Sequence, residues 1–447
     1  MPDATRNSLR PQTARCAAAH LALLGLLAAG LPARSAGATK RTRPSPKIQV
    51  PSGFDVELVA RNIGPLRHIV ARGNGDIYGN LRRMHRGGSL VALRDTTGDG
   101  RLDTSTYFER HPGTGIAIHA ERLYFSDRTQ VYRKAWKGDE LVPSGPTRIV
   151  VRNLPKQRSH AAKSLAIDPS AGHLYVNIGA PANACQKQRR TPGSPGLRPC
   201  PLLRRHGGIW RFSAAQRRQS QTDGVRFATG LRNVVALAFN PAVGALYGVQ
   251  HGRDQLHTLW PKHFTQKESA RLPAEEMFLL RRGTNGGWPY TYWDQRREAR
   301  MLAPEYGGNG SKKAPAGKYA EPIVAFPGHY APNGLVFYSG EQFPERYRGG
   351  AFVAFHGSWN RSPLPQRGYQ VYFVPFAGKR PAGEPKLFAD GFAGTDTIAH
   401  PSDAAHRPMG LAVGPGGSLY VSDSQKGHIW RIRWQSKAHA SPDKSPK

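Results

Sequence analysis

Acidic residues are scarce in this chain: 30 Asp and Glu face 64 Lys and Arg among 447 residues, a formal charge of +34. Cysteine is nearly absent, with 3 residues, and no C-x-x-C-H pattern occurs, which excludes covalent c-type haem. Beyond the N-terminus no apolar run approaches the ~20 residues of a membrane-spanning helix. The sequence also lacks G-x-S-x-G, H-E-x-x-H and a Walker-type phosphate loop. Its 17 His show no tight ligand spacing with a second His, Cys or carboxylate. Gly (50) and Pro (37) are too frequent for a helical bundle or coiled coil. Disorder throughout is excluded as well, because 8 Trp, 16 Tyr and 17 Phe are spread along the chain.

The N-terminus reads as an export signal over residues 1–38. Arg6, Arg10 and Arg15 precede the apolar run from Cys16 to Leu31, and Ala36-Gly37-Ala38 forms a small-residue cleavage pattern. A retained anchor is the alternative. Cleavage removes four Arg and one Asp and leaves +31. It leaves Cys185 and Cys200, which an oxidising compartment is expected to pair; two separate buried thiols are the alternative. Residues 39–46 form a basic linker, 47–435 the folded domain and 436–447 a polar tail. The expected location is the periplasm. The basic residues are scattered, and no helix-turn-helix, zinc-finger or RNP-type signature occurs, so no specific nucleic acid is expected. Electrostatic association with an anionic cell envelope fits this charge better.

The fold signal is a loose internal repeat. Ser164 to Val176 (SLAIDPSAGHLYV), Ala236 to Gly248 (ALAFNPAVGALYG) and Gly410 to Val421 (GLAVGPGGSLYV) share an alternating apolar strand, a Gly-bearing turn and a second strand with Leu-Tyr. Weaker copies start at Ile69 and Gly115, and third strands follow in GGIWRFS and GHIWRIRW. A recurring meander of this kind predicts an all-β, six-bladed β-propeller, with the excess length in loops such as 186–201 and 295–318.

The polar motifs sit at strand ends: RSHAAKSLAID from Arg158, GLRN from Gly230, VQHGRD from Val249, GGWPY from Gly286, HGSWNR from His356 and RPMG from Arg407. In this order they resemble the soluble glucose/sorbosone dehydrogenase family, six-bladed propellers that use pyrroloquinoline quinone (PQQ). The resemblance runs from about Val50 to Trp434, and HGSWNR, GLRN and GGWPY together are similar to its sorbosone dehydrogenase branch. It implies oxidation of a sugar or sugar-derived aldehyde or hemiacetal by hydride transfer to PQQ, and an external electron acceptor.

The resemblance assigns His160 as the base that takes the hydroxyl proton, a task suited to imidazole. It assigns Arg232, Asn233 and Arg407, with Arg361 as a further candidate, to a cofactor that carries three carboxylates. Ca²⁺ is expected on the main-chain carbonyls of Gly252 and Arg253, with Asp254 supporting that loop. Lys163 is a candidate charge neighbour of His160. The cluster Asp95, Asp99 and Asp103 reads as a plain turn, because the terminal Glu of a calcium loop is missing.

Departures are visible too. Glucose-oxidising members orient the base with a Gly-Asp where this chain has Ala180, whose side chain cannot do so; Asn183 is the candidate substitute. A second cofactor-binding Arg falls near Met409, and Val249 to His251 replace the acidic residue before the calcium loop. Two other readings stay open: a non-catalytic propeller that binds anionic glycans or an envelope partner, and a Ca²⁺-dependent lactonase. The lactonase would need carboxylates converging on the central channel.

Overall fold

The computed structural model describes residues 47–435. The signal, linker and tail expected at 1–38, 39–46 and 436–447 lie outside the described residues. Six four-stranded antiparallel blades follow one another along the chain, the third extended by Thr284–Asn285, which pairs parallel to Val225–Thr229. Blade 1 contains Leu66–Ala71, Ile77–His85, Gly88–Arg94 and Thr104–Phe108, and blade 2 contains Ile116–His119, Arg122–Ser126, Val131–Ala135 and Arg148–Val151. Blade 3 contains Leu165–Asp168, His173–Ile178, Gly208–Ser213 and Val225–Thr229; blade 4 contains Ala236–Asn240, Ala245–Gln250, Glu275–Leu280 and Val324–Phe326. Blade 5 contains Pro332–Phe337, Ala351–Phe355, Gln370–Val374 and Lys386–Ala389. Blade 6 takes three strands from the C-terminal end, Pro408–Val413, Leu419–Asp423 and Ile429–Trp434. Its outer strand comes from the N-terminal side: Phe54–Ala60 pairs antiparallel with Ile429–Trp434, with Val56 opposite Ile432. This pairing closes the ring, and the first strand of every blade packs on the first strand of the next. The expected six-bladed propeller is the observed fold.

The repeated Leu-Tyr pair has a simple physical origin. Successive strand residues point to opposite faces, so two neighbours serve two different gaps between blades. In blade 3, Leu174 packs toward blade 2 and Tyr175 toward blade 4. Leu246 and Tyr247 of blade 4 repeat this division, as do Leu123 and Tyr124 of blade 2. Each inter-blade gap is thereby filled by an apolar cluster. Blade 5 carries Ala351 and Phe352 in the same register, which hides it from a search for Leu-Tyr. Its first two strands are also joined by a long connection containing the 3-10 turn Glu345–Tyr347, without the short Gly-bearing turn of the other copies.

The long connections hold structure of their own. The loop after Ile178 is closed by a Cys185–Cys200 disulfide, as expected. The long connection of blade 4 folds back as the hairpin Thr291–Asp294 and Ala299–Leu302. In the 95–103 turn, Asp95 accepts from the N–H groups of Gly98 and Gly100 and Asp103 from that of Thr96, in line with a plain turn.

Phe352 is fully buried, with the rings of Phe388, Phe373 and Phe343 at 4.6, 5.1 and 6.0 Å. Phe352→Ala is expected to destabilise the fold by about 3–5 kcal/mol, read from urea unfolding, because it empties the gap between blades 5 and 6. A loss below about 1 kcal/mol would contradict the assignment of that ring to the core.

Candidate functional site

First strands begin, and second strands end, at one face of the propeller, so the loops at those points gather around its axis. They line a cavity of about 300 Å³. Four guanidinium side chains line it, from Arg189, Arg190, Arg232 and Arg407, against two carboxylates, Asp254 and Glu275.

His160 precedes the first strand of blade 3 and lines the cavity. Its Nδ1 lies 2.5 Å from the carbonyl oxygen of Ala180. A carbonyl can only accept, so Nδ1 carries the proton and Nε2 keeps its lone pair. The Ala180 side chain cannot orient the imidazole, but its main chain does, and this corrects the expectation drawn from the missing carboxylate. The Ala180 amide donates to the Arg232 carbonyl at 2.7 Å, which ties the base to the neighbouring loop. His160 has φ 51°, and Gln157 fixes its turn by donating to the carbonyls of Ser159, His160 and Gly179. Gly179 is needed here, because a Cβ would lie 2.6 Å from Asn233 Oδ1 and 2.8 Å from His160 Cβ.

Asp254 organises the opposite wall. It accepts from Arg232 Nη2 at 2.8 Å and from Asn360 Nδ2 at 2.9 Å, and lies 3.5 Å from His329 Nδ1. Burial opposes its ionisation, but Arg232 and His329 outweigh burial and hold the carboxyl well below the usual range. Asn183 completes the link: Oδ1 accepts from Arg232 and from the Asp254 amide, and Nδ2 donates to the Asp254 carbonyl. Asn183 therefore positions arginine and aspartate, not the imidazole. Its own carbonyl accepts from Trp288 of GGWPY, which packs with Ala180 and the disulfide.

The remaining candidates are placed as follows. Arg407 lines the cavity and donates to the carbonyls of His356 and Gly357 at 2.8 and 3.0 Å. Asn233 lies beside the cavity, on a chamber along the axis, where Oδ1 accepts from Asn177. Arg361 lies outside the cavity and donates to the carbonyls of Pro365 and Gly328. Gly252 lines the cavity, whereas the Arg253 side chain leaves it to pair with Glu305. Lys163 is fully buried and donates to the Ala161 carbonyl at 3.1 Å. Met409 is buried in the first strand of blade 6.

Arg189, Arg190, His329 and Glu275 were missed in the sequence, and Asn360 was passed over for its neighbour Arg361. Arg189 and Arg190 sit on the disulfide-closed loop, so the two cysteines were the available signal. His356, Trp359 and Asn360 all lie within HGSWNR, and Trp359 stands at the cavity 67% exposed.

The donor set suits a ligand with several carboxylates: cations outnumber acids, and the buried Arg232 Nε has no partner among the described residues. For calcium, Gly252 O, Asp254 Oδ2 and Asn183 Oδ1 are oxygens of the right kind. Here they surround the Arg232 guanidinium at 2.8, 2.8 and 3.0 Å. Among the described residues no group of three or more His, Cys, Asp and Glu could hold a metal ion. Both cavity carboxylates are engaged, Asp254 by Arg232 and Asn360 and Glu275 by the amides of Gly252 and Ala331.

Residues 48–435 match the TrAA12-like family, and the chain belongs to it. A PQQ-dependent pyranose dehydrogenase of Coprinopsis cinerea is 25% identical over 435 residues, covering 88% of this chain and 56% of the enzyme, so this chain spans little more than half of that relative. An uncharacterized protein of Borreliella burgdorferi is 25% identical over 402 residues, covering 87% of this chain and 91% of its own length. The calcium structure of a Trichoderma reesei Carbohydrate-Active Enzymes Family AA12 protein superposes with a TM-score of 0.70 at 19% identity. That match covers 88% of this chain and 98% of the Trichoderma one. It agrees with the propeller fold described above.

Burial pushes the imidazoles of His160, His251 and His68 down to about 3, 4 and 4, and Arg232 adds to the effect at the first two. Stability from a neutral buried imidazole is fully present above its unfolded value of 6.5 and is lost as pH falls toward these lower values. Glu275 acts the other way: burial raises its carboxyl to about 7, so its contribution is full below 4.5 and lost as pH rises through 7. Between about pH 7 and about pH 5, His251→Asn should therefore lose less of its urea midpoint than the parent, and Glu275→Gln more. Equal losses in all three proteins would contradict these protonation states.

Proposed function

We propose that this protein is a PQQ-dependent sugar dehydrogenase that oxidises an aldose, or a sorbosone-like aldehyde, at its hemiacetal or aldehyde carbon. One observation carries the reading: a neutral imidazole with a fixed tautomer faces a cavity lined by guanidinium groups. The Coprinopsis relative, named for PQQ and pyranose, supports the same chemistry. Bound PQQ supplies a two-electron oxidant able to accept hydride from the sugar carbon.

His160 would receive the sugar hydroxyl proton at Nε2, since Nδ1 is already committed to Ala180. Arg232, Arg407, Arg189 and Arg190 would hold the quinone's carboxylates. Burial and Arg232 keep His160 weakly basic. Its basicity would rise once that guanidinium faces carboxylates, so the base would be strengthened by the same event that loads the oxidant. Calcium, which the Trichoderma structure is named for, would take the oxygen set that Arg232 now fills and free the arginine for the cofactor. We place the protein in the periplasm, with an external acceptor for the electrons. The Cys185–Cys200 bridge supports an oxidising compartment.

The test is dye reduction by the PQQ- and calcium-loaded protein with a panel of aldoses and sorbosone. His160→Ala should lower kcat by about 10²–10⁴-fold with PQQ affinity retained. Full turnover in His160→Ala, or no turnover of any sugar by quinone-loaded parent protein, would overturn the reading.

A further inference from the structure

The cationic lining does not stop at the cavity. Through Ser159, Pro181 and Arg189 it continues into a groove of about 1430 Å³ over blades 1 to 3. Arg82, Arg83, Arg128, Lys156, Arg158 and Arg189 line this groove, with Asp127 as its one carboxylate. The Asp127 oxygens are already used by the amides of Thr129 and Gln130 and by the Tyr132 hydroxyl, at 2.6, 2.7 and 2.9 Å. Among the described residues, no ion pair or side-chain hydrogen bond engages Arg82, Arg83, Arg128, Lys156 or Arg158. A chamber on the propeller axis joins groove and cavity, sharing Arg82, Arg128 and Arg158 with one and His160 and His356 with the other.

This is more positive charge than the proposed cofactor can answer. Three carboxylates are matched by the arginines of the cavity itself, and the groove's cations are left facing a single carboxylate, Asp127. Like charges gathered in a concave, low-dielectric surface are costly unless an anion joins them. The groove also offers what a carbohydrate needs. Met84, Pro112 and Pro181 give apolar surface for ring faces. A concave run that opens into the cavity suits a chain threading inward better than the convex face of a globular partner.

We infer that the groove binds an acidic oligosaccharide, a uronate-bearing chain whose terminal sugar enters the cavity beside His160. This deepens the dehydrogenase reading and rests on it for the fate of that terminal sugar.

The probes are short oligogalacturonates, neutral maltooligosaccharides of matched length and polyglutamate of matched charge, titrated calorimetrically into the purified protein at physiological salt. Oligogalacturonate should bind more tightly as the chain lengthens, and more tightly than either control. The double variant Arg83→Gln/Lys156→Gln should weaken it by about fivefold, within the range for two exposed charge contacts. Arg158→Gln, a separate single change, should act in the same direction. Equal binding of the neutral chain or of polyglutamate, or unchanged affinity in both variants, would overturn the inference. A parallel PQQ titration separates the two claims: lost quinone binding with retained oligosaccharide binding sinks the dehydrogenase reading alone, and the reverse sinks the groove alone.

Discussion

The site depends on one partly buried carboxylate. Asp254 holds Arg232 at 2.8 Å, Asn360 at 2.9 Å and His329 at 3.5 Å, and its main chain is clasped by Asn183. Those partners come from loops of blades 3, 4 and 5, so a single side chain fixes how three blades meet at the cavity. The β-sheets bring these loops near one another, but sheet pairing does not set their mutual angles. A charge removed from water demands partners in good geometry, and this demand supplies the missing precision.

The wider electrostatics follow from a shortage of acids. Asp254 and Glu275 cannot balance the cavity's arginines, and the chamber and groove add further unpaired cations. Two consequences run together. The imidazoles of His160, His251 and His356 stay neutral, because burial and the arginines' field both disfavour another positive charge, whereas Asp254 raises that of His329. The cavity is also prepared for anions, since a multiply charged ligand relieves repulsion as well as making contacts. Even an arginine is pressed: burial together with Arg82 and Arg407 brings Arg67 down to about 10. A site with this charge suits anionic ligands, and the same field, with burial, holds the His160 imidazole weakly basic.

The fold was legible because the propeller writes itself as local repeats. Strand pairs such as Leu174-Tyr175 and Leu246-Tyr247 divide between two gaps, and that division survives as a sequence motif. Blade 5 satisfied the same packing with Ala351 and Phe352 and so escaped notice. The closing strand Phe54–Ala60 was invisible as a blade member, since its partners lie at the other end of the chain. At the site, His160, Arg232 and Arg407 were legible through their motifs. The support of His160 was not, because a main-chain carbonyl leaves no mark in the sequence. Arg361 drew attention by its charge, while its neighbour Asn360 makes the contact to Asp254. Arg189 and Arg190 reach the cavity because a disulfide folds their loop over it, a placement that spacing alone does not encode.

The arginine-lined cavity is proposed as a specific quinone site, distinct from a generally basic surface. The most direct measurement is a titration of the purified protein with PQQ, with and without millimolar calcium, repeated at high salt. Saturable binding of one quinone per chain is expected, surviving salt because buried donors are screened far less than exposed ones, and tightening with calcium. Weak, non-saturating binding that disappears as salt is raised would contradict it.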